Sequence, residues 1–342
     1  MKTSEFDYHL PPELIAQTPT EPRDRSRLMV LSRCDGSIEH RRFYEIIDYI
    51  EKGDMVVFNN SRVIPARLVG QKRDSQTKVE ILLLRRLDKN VWETLVRPAR
   101  KLMPGAKITI AGVPQAADIE MTAEVLEQGE AGIRTIRFSN NSLLEKFGQI
   151  PLPPYISTPL VDTGRYQTIY AQTDGSVAAP TAGLHFTSRL IDELQKKGAR
   201  LAFVTLHIGL DTFRPVRVED PSKHPIHREY GELNSEVASL INQTKEQGKK
   251  VVAVGTSTVR LLEAVAETGR VQPFAGWVDL LILPGYKFRI ADVMVTNFHL
   301  PRSTLLMLVS AFAGKDFILQ AYEQAKSLNY RFYSFGDAML IL

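Results

Sequence analysis

Four short segments combine histidine or hydroxyl side chains with small residues. The richest spans residues 175–187 and carries His185 close to Gly183, just before Thr187. Small side chains let a ligand approach the backbone, and a helix that begins at Thr187 offers free N–H donors to a carboxylate or phosphate. Histidine can move a proton near neutral pH. The structural alternative is that Thr187 only caps the helix and His185 packs.

Two further segments also follow apolar runs. Residues 205–215 carry His207 and Asp211, which are close enough in sequence to form an acid/base pair or to serve as turn residues. Residues 255–260 form a tight turn before a helix that bears Arg260. An anion pocket and an ordinary helix cap fit this third segment equally well.

The fourth segment, residues 296–304, holds Asn297, His299 and Ser303, which either face a ligand or cap the next helix. Open α/β sheets bind ligands at the carboxyl ends of their strands, so turns that follow several strands converge there. The sequence lacks the glycine-rich dinucleotide loop, a Walker A loop, a serine nucleophile elbow and the zincin motif. His224 and His227 have no nearby third ligand, which favours a polar loop over a metal site.

Length and composition limit the class of protein. The chain has 342 residues, of which 44% are hydrophobic and 24% charged, which predicts two globular domains. The single cysteine, Cys34, excludes an internal disulfide and a cysteine-based metal site. The N-terminus lacks the apolar core of a signal peptide, and the longest apolar stretch, residues 305–313, is too short to span a bilayer. We therefore expect a cytoplasmic protein with no membrane contact.

The hydrophobic pattern indicates an inserted barrel. Between residues 62 and 138 it predicts only short strands, at 79–84, 91–96, 108–110, 119–126 and 133–138. Short strands separated by glycine and proline are typical of a small barrel. The proline-rich stretch 150–155 is the predicted return linker.

Strands and helices alternate in the C-terminal half. Predicted strands are 199–206, 250–254 and 278–283, and predicted helices are 187–197, 234–248, 256–268, 304–313 and 315–327. The N-terminal piece has a helix-like stretch at 44–51 and a buried strand at 55–58 without a partner. We therefore predict a discontinuous α/β main domain of residues 1–60 and 151–342, with an all-β barrel domain inserted at 61–150.

The barrel segment is strongly basic. Residues 62–107 contain twelve Lys and Arg against four acidic residues, whereas residues 108–150 carry a net negative charge. A local basic face suits a polyanion such as RNA, although a solvated strand surface explains the charges as well.

The chain resembles the S-adenosylmethionine:tRNA ribosyltransferase-isomerase family of queuosine biosynthesis. The similarity runs from end to end, and the segment 176–187 is its most specific part. The other matching segments are residues 6–17, 23–28, 63–68, 148–155, 296–301 and 330–339. One departure is Asp211, where the family commonly has glycine, which puts a close backbone approach at that turn in doubt.

The resemblance implies an activity. The family moves and isomerises the ribosyl part of S-adenosylmethionine onto 7-aminomethyl-7-deazaguanine at the tRNA wobble position. The products are epoxyqueuosine-tRNA, adenine and methionine. S-Adenosylmethionine is thus a co-substrate, and we expect no permanently bound cofactor and no metal. The expected partner is tRNA carrying the modified base, bound by a monomer.

This chemistry needs a base for the ribose 5′ carbon, a route for adenine departure and a place for the sulfonium. We predict His185 as the first base or acid, with His207 or His299 second. Phe213, Tyr286 or Phe298 would face the sulfonium. The methionine carboxylate suits the helix N-termini at Thr187 or Thr256, or Arg260. The predicted S-adenosylmethionine-binding residues are Thr181, Gly183, Thr187, Gly255, Thr256, Arg260 and Phe298.

The basic barrel is the predicted platform for tRNA. Its candidate phosphate contacts are Arg62, Arg67, Lys72, Arg73, Arg97, Arg100 and Lys101. A non-catalytic RNA-binding module with a nucleotide-sensing α/β domain explains the basic barrel as well, but it gives no reason for three histidine-bearing turns. An unusual RNA methyltransferase is a second alternative, and it would release S-adenosylhomocysteine.

Overall fold

The structure is a computed structural model that describes residues 1–111, 120–209 and 215–342. Two compact units are present. The larger contains Met1–Arg62, Pro153–Thr173 and Ala179–Leu342, and the smaller contains Val63–Leu152 and Asp174–Ala178. The predicted fold class, an α/β part with an all-β barrel, is confirmed.

A nine-stranded mixed sheet runs through the larger unit, in the order β17-β13-β12-β3-β14-β18-β19-β1-β2. Its strands, in chain order, are β1 (Arg27–Leu31), β2 (Ile38–Arg42), β3 (Met55–Asn59), β12 (Arg200–Leu206), β13 (Glu229–Leu233), β14 (Val251–Val254), β17 (Phe274–Val278), β18 (Val293–Asn297) and β19 (Ala338–Ile341). The strands β12, β3, β14 and β18 are mutually parallel. Every residue of β3 is buried, because β3 lies between β12 and β14 and an apolar core covers each of its faces.

Helices cover both faces of this sheet, and each face has its own apolar core. The helices are α2 (Ser188–Lys197), α3 (Ser235–Glu246), α4 (Thr256–Ala264), α5 (Thr304–Ala313) and α6 (Lys315–Ser327). Among the described helices, none alone is long and apolar enough to cross a membrane. The pair α5 and α6 passes on length and composition only when joined across a 111° bend.

The smaller unit is a closed six-stranded antiparallel barrel in the order β10-β7-β6-β5-β8-β9. Its strands are β5 (Arg67–Lys72), β6 (Lys78–Asp88), β7 (Val91–Arg97), β8 (Lys107–Ile110), β9 (Met121–Gln128) and β10 (Ile133–Phe138). Alternate residues such as Leu68, Ile108 and Ile136 fill the interior. The helix α1 (Leu144–Phe147) follows the barrel. Part of the predicted strand 119–126 lies outside the described residues.

The remaining strands are short. They are β4 (Ser61–Val63), β11 (Thr173–Ser176), β15 (Ala266–Glu267) and β16 (Arg270–Val271).

Two predicted elements have different bounds in the structure. The strand predicted at 278–283 lies instead at Phe274–Val278, because its partner β13 begins at Glu229, which pairs with Val278. The helix predicted over 256–268 ends at Ala264, because β15 and β16 form a hairpin. Thr268 and Gly269 form the two-residue turn of this hairpin, and both have positive φ.

The stretch predicted as helix-like at 44–51 is a 3₁₀ helix, Phe43–Tyr49. The main-sheet strands β1, β2, β13, β18 and β19 were not predicted, nor were β5 of the barrel and the short strands β4, β11, β15 and β16.

Candidate active site

A cleft opens at the carboxyl edge of the parallel strands of the larger unit. The turns after β14 and β18 converge there with the 3₁₀ turn Thr181–His185. The described lining residues are Tyr155, Ala179, Pro180, Thr181, Ala182, Ile208, Glu229, Gly255, Thr256, Ser257, Arg260, Thr296, Asn297, Phe298, His299, Leu300, Leu305, Tyr333 and Ser334. The segments 175–187, 255–260 and 296–304 therefore contribute several residues each, and the segment 205–215 contributes Ile208.

The turn after β14 brings a helix N-terminus to this cleft. Gly255 is the N-cap residue of α4, and its φ of +93° is a conformation that favours glycine. The first-turn N–H groups of α4, at Thr256 and Ser257, have no acceptor within the helix. Both residues line the cleft. The turn thus supplies backbone donors to whatever binds there.

Arg260 projects from α4 and is 8% exposed. Its Nη1 donates to Glu229 Oε2 at 2.6 Å, and its Nε donates to the carbonyl of Leu280 at 3.2 Å. The other Glu229 oxygen accepts the Gly209 N–H at 3.0 Å. Arg260 is therefore held in place by a buried carboxylate, and both members of this pair line the cleft.

Asn297, at the end of β18, connects the cleft to a buried histidine behind it. Its Nδ2 donates to His185 Nε2 at 3.2 Å, and its Oδ1 accepts from Thr181 Oγ1 at 3.1 Å. On the far side of the ring, His185 Nδ1 lies 2.7 Å from Ser26 Oγ. Since Asn297 donates to Nε2, the proton of the neutral ring is on Nδ1, which donates to Ser26.

His185 itself is fully buried and does not belong to the described cleft lining. Its ring stacks on Phe43 with centroids 4.8 Å apart. Burial, followed by the nearby Arg23 guanidinium, holds the pKa of His185 well below its usual range. The residue is therefore a neutral imidazole at physiological pH, and a hydrogen bond joins it to the cleft-lining Asn297.

His299 does line the cleft. Its Nε2 lies 2.7 Å from Thr296 Oγ1, and its backbone N–H donates to the Tyr322 hydroxyl at 2.8 Å. Burial lowers the pKa of His299 to about 3. The ring is neutral at physiological pH, so it can accept a proton or a hydrogen bond but cannot supply the second proton of an imidazolium.

The remaining predicted residues divide into those that reach the cleft and those that do not. Thr181 and Phe298 line it. His207 stacks on Tyr230 at 6.4 Å and is outside the described lining, as is Tyr286. Phe213 and Asp211 lie outside the described residues, so neither predicted role is addressed.

Gly183 and Thr187 both lie against other groups of the protein. A Cβ on Gly183 would lie 1.9 Å from the Tyr170 hydroxyl, so this glycine permits close packing inside the protein. Thr187 caps α2 as predicted, with its Oγ1 accepting the Leu190 N–H. The same hydroxyl donates to the buried carboxylate of Asp24 at 2.8 Å. Asp24 thus occupies the position at the α2 N-terminus where a ligand carboxylate was expected.

Several lining residues were not singled out from the sequence, among them Tyr155, Glu229 and Ser334. Glu229 begins β13, the strand next to the edge strand β17, and no motif marks it. A signal did exist for Asn59, the polar residue that ends the buried strand β3. Its Nδ2 donates to the carbonyl of Leu206 and to Ser257 Oγ, which ties three turns of the sheet edge together.

Over residues 1–111, 120–209 and 215–342, no group of three or more His, Cys, Asp or Glu side chains is placed to hold a metal ion. The expectation of a metal-free enzyme without a resident cofactor stays a prediction.

Comparison with known proteins decides the family. The sequence profile of the queuosine biosynthesis protein family matches residues 3–341. The chain belongs to this family. It is 56% identical to an S-adenosylmethionine:tRNA ribosyltransferase-isomerase of Dehalococcoides mccartyi strain CBDB1 and 52% identical to that of Thermotoga maritima, with all of both chains covered in each case.

A crystal structure of S-adenosylmethionine tRNA ribosyltransferase from Thermotoga maritima has the same fold. Its TM-score is 0.58 at 44% identity, with 99% of this chain and 100% of that chain covered. The predicted family resemblance is therefore confirmed.

In this family member, the barrel concentrates positive charge at one end. Because β5 and β7 both run antiparallel to β6, their carboxyl ends meet at the same end of the barrel. Lys72 ends β5 there and Arg73 follows it, while Arg97 ends β7 and is followed by Arg100 and Lys101.

Acidic side chains neutralise three of the seven candidate phosphate contacts. Arg67 pairs with Glu80 at 2.6 Å, Lys72 with Asp74 at 2.9 Å, and Arg73 with Glu120. Arg97, Arg100 and Lys101 are exposed and form no ion pair with any described residue. Arg62, the remaining candidate, is exposed and belongs to the larger unit.

Proposed function

We propose that this chain transfers and isomerises the ribosyl moiety of S-adenosylmethionine onto tRNA, as the names of its relatives state for those proteins. The acceptor is 7-aminomethyl-7-deazaguanine at the wobble position, and the products are epoxyqueuosine-tRNA, adenine and methionine. The family membership over residues 3–341 carries this proposal. The cleft at the sheet edge is the site at which S-adenosylmethionine would bind.

The reaction begins with removal of a proton from the ribose 5′ carbon beside the sulfonium. His299 is the histidine that lines the cleft, and its ring is neutral, so it has the protonation state that a proton acceptor needs. Its low pKa makes it a poor store for that proton. We therefore propose that His299 takes the proton only transiently or hydrogen-bonds to the reacting ribose.

Adenine then leaves as the ribose ring opens, and the aminomethyl nitrogen of the deazaguanine attacks the sugar. Closure of the epoxide expels methionine. Since His185 and His299 are both neutral, departing adenine is better served by hydrogen bonds than by an imidazolium. Thr181 and Asn297 supply neutral polar groups to the cleft.

His185 and His207 remain proposed members of the catalytic set, as predicted. The contacts of His185 support a positioning role, in which it orients the amide of Asn297 toward the cleft. His207 stacks on Tyr230 outside the described lining, and its proposed role is second to that of His299. The cleft-lining residues Thr181, Gly255, Thr256, Arg260 and Phe298 are the proposed contacts of S-adenosylmethionine, whereas Gly183 and Thr187 support the surrounding turn and helix.

The barrel is the proposed tRNA platform. The three basic residues Arg97, Arg100 and Lys101 are the strongest candidates for phosphate contacts, because no described acid neutralises them. The acceptor base lies in an anticodon loop, which is single-stranded and accessible without opening a duplex. A monomeric state and a cytoplasmic location remain predictions.

Chromatography of a reaction with S-adenosylmethionine and tRNA carrying 7-aminomethyl-7-deazaguanine tests this proposal. We expect adenine and methionine in equal amounts, and only with the modified tRNA. S-Adenosylhomocysteine as product would identify a methyltransferase instead. Bound tRNA with unconsumed S-adenosylmethionine would identify a binding module.

A further inference from the structure

We infer that the α4 end of the cleft is a carboxylate subsite, formed by Arg260 and the first-turn N–H groups of α4, and that it holds the methionyl carboxylate of S-adenosylmethionine. Glu229 is the positioning residue for Arg260. This inference rests on the proposed function, since it fixes which end of that substrate lies at α4.

The first observation is an unsatisfied donor. Arg260 is more than nine-tenths buried and lines the cleft, yet its Nη2 has no hydrogen-bond partner among the described residues. Its other described donors are used, by Glu229 and by the carbonyl of Leu280. A buried N–H without an acceptor is destabilising, so a ligand acceptor at this position would relieve that penalty.

The second observation is the helix N-terminus beside it. Thr256 and Ser257 line the same cleft, and their N–H groups are oriented along the α4 axis with its positive end outward. Arg260 and the α4 N-terminus therefore converge on one region. A carboxylate can accept from both, because it has two oxygens and four acceptor sites.

The charges around the cleft favour an anion at this end. The only described lining carboxylate is Glu229, and both of its oxygens already accept hydrogen bonds, from Arg260 and from the Gly209 N–H. His299 is neutral because burial lowers its pKa to about 3. Among the described lining residues, no other carboxylate opposes the positive field of the α4 N-terminus. The carboxylate is the only anionic group of S-adenosylmethionine, so it belongs here, and the sulfonium lies further along the cleft.

The test compares the binding of S-adenosylmethionine with that of its decarboxylated analogue by isothermal titration calorimetry. We expect the unaltered protein to prefer S-adenosylmethionine by at least about tenfold, the effect of one or two charge-assisted hydrogen bonds. Arg260→Met should reduce the preference to less than about threefold. Because this change leaves Glu229 buried without its cation, the double variant Arg260→Met with Glu229→Gln is measured as well.

Thr256 offers a matched pair of variants. Thr256→Pro removes one N–H of the α4 N-terminus at the first helical position, where proline is tolerated and Gly255 precedes it with ψ 149°. Thr256→Ala keeps the N–H and removes only the hydroxyl. We expect the proline variant to lose part of the preference and the alanine variant to keep it.

Equal binding of both compounds by the unaltered protein, or full preference in folded Arg260 variants, would overturn the subsite. Product analysis separates this from the proposed function. Adenine release without any carboxylate preference defeats only the subsite, whereas carboxylate preference without adenine release defeats only the proposed reaction.

Discussion

The amide of Asn297 lies between the cleft and the buried ring of His185, with its Nδ2 3.2 Å from His185 Nε2. Asn297 lines the cleft, and His185 lies behind it with no exposed surface. The ring in turn donates through Nδ1 to Ser26. This chain of hydrogen bonds fixes which face of the Asn297 amide a bound substrate meets.

A pair of His185 variants tests this arrangement. Glutamine can both donate and accept, so His185→Gln should keep turnover within a few-fold of the unaltered enzyme. His185→Leu removes one of the two acceptors of the Asn297 amide, the other being the Tyr333 carbonyl at 3.2 Å, and should lower kcat/KM about tenfold, the equivalent of about 1.4 kcal/mol. Steady-state kinetics over several pH values gives both results. If the folded glutamine variant is as inactive as the leucine variant, His185 moves a proton itself.

The neutral state of buried His299 predicts acid sensitivity. Its pKa is lowered to about 3 in the folded protein, against about 6.5 in an unfolded chain, so the unfolded state binds the proton more readily. Stability is complete above about pH 6.5 and falls as the pH decreases toward 3. Between pH 7 and pH 5 this histidine should cost about 2 kcal/mol of unfolding free energy.

Urea unfolding at pH 7 and pH 5 measures that cost. His299→Gln should lose less stability between the two pH values than the unaltered protein does. The matched control is His9→Gln, a change at an exposed histidine, which should keep the original difference. Identical pH dependence in the His299 variant would contradict the burial argument.

Gly183 was predicted to let a ligand approach, whereas the structure shows the Tyr170 hydroxyl in the space where its side chain would be. Gly183→Ala should therefore destabilise the fold by about 1–3 kcal/mol through overpacking. For Gly209, by contrast, the nearest described atom to an added Cβ is Glu229 Oε1 at 4.0 Å, so Gly209→Ala should be tolerated. Thermal unfolding compares the two variants. Equal thermal stability of the two variants would contradict the packing role of Gly183 and favour the original prediction that it lets a ligand approach the backbone.

Charge reversal at the basic end of the barrel tests the tRNA platform. A triple change of Arg97, Arg100 and Lys101 to Glu should weaken tRNA binding strongly and leave S-adenosylmethionine binding intact. The slope of log affinity against log salt should fall by about 2 units, since each lost phosphate contact accounts for about 0.7–0.9.

The control is the same reversal at Arg85, Arg86 and Lys89, which are exposed near the opposite end of β6. Filter binding over a range of salt concentrations reports both variants. If the control triple weakens tRNA binding as much as the test triple does, this end of the barrel is not the platform.

Local signals predicted much of the fold. Thr187 and Asn234 cap α2 and α3 as expected, because each side chain accepts the N–H three residues on. The barrel followed from two-residue alternation. Strand pairing was harder to predict, since β17 ends at Val278, opposite Glu229 at the start of β13, and such a limit is set by a partner distant in sequence.

Local sequence patterns likewise predicted some residues of the candidate site and missed others. The turns that contain Thr181, Gly255 and Asn297 were found because polar and small residues follow apolar runs. Glu229 and Tyr155 were not found, since each reaches the cleft from an element without a motif. The sequence did not determine the direction of the His185 side chain, because a histidine in a polar turn can face either the cleft or the core.

Isotope transfer from S-adenosylmethionine to tRNA tests the central claim most directly. The protein is incubated with tRNA carrying 7-aminomethyl-7-deazaguanine and with S-adenosylmethionine labelled with ¹⁴C either in the ribose or in the methyl group. Ribosyl transfer predicts that the ribose label enters the tRNA and that the methyl label leaves with methionine. Methyl label in the tRNA, or no label from either compound, would contradict the account.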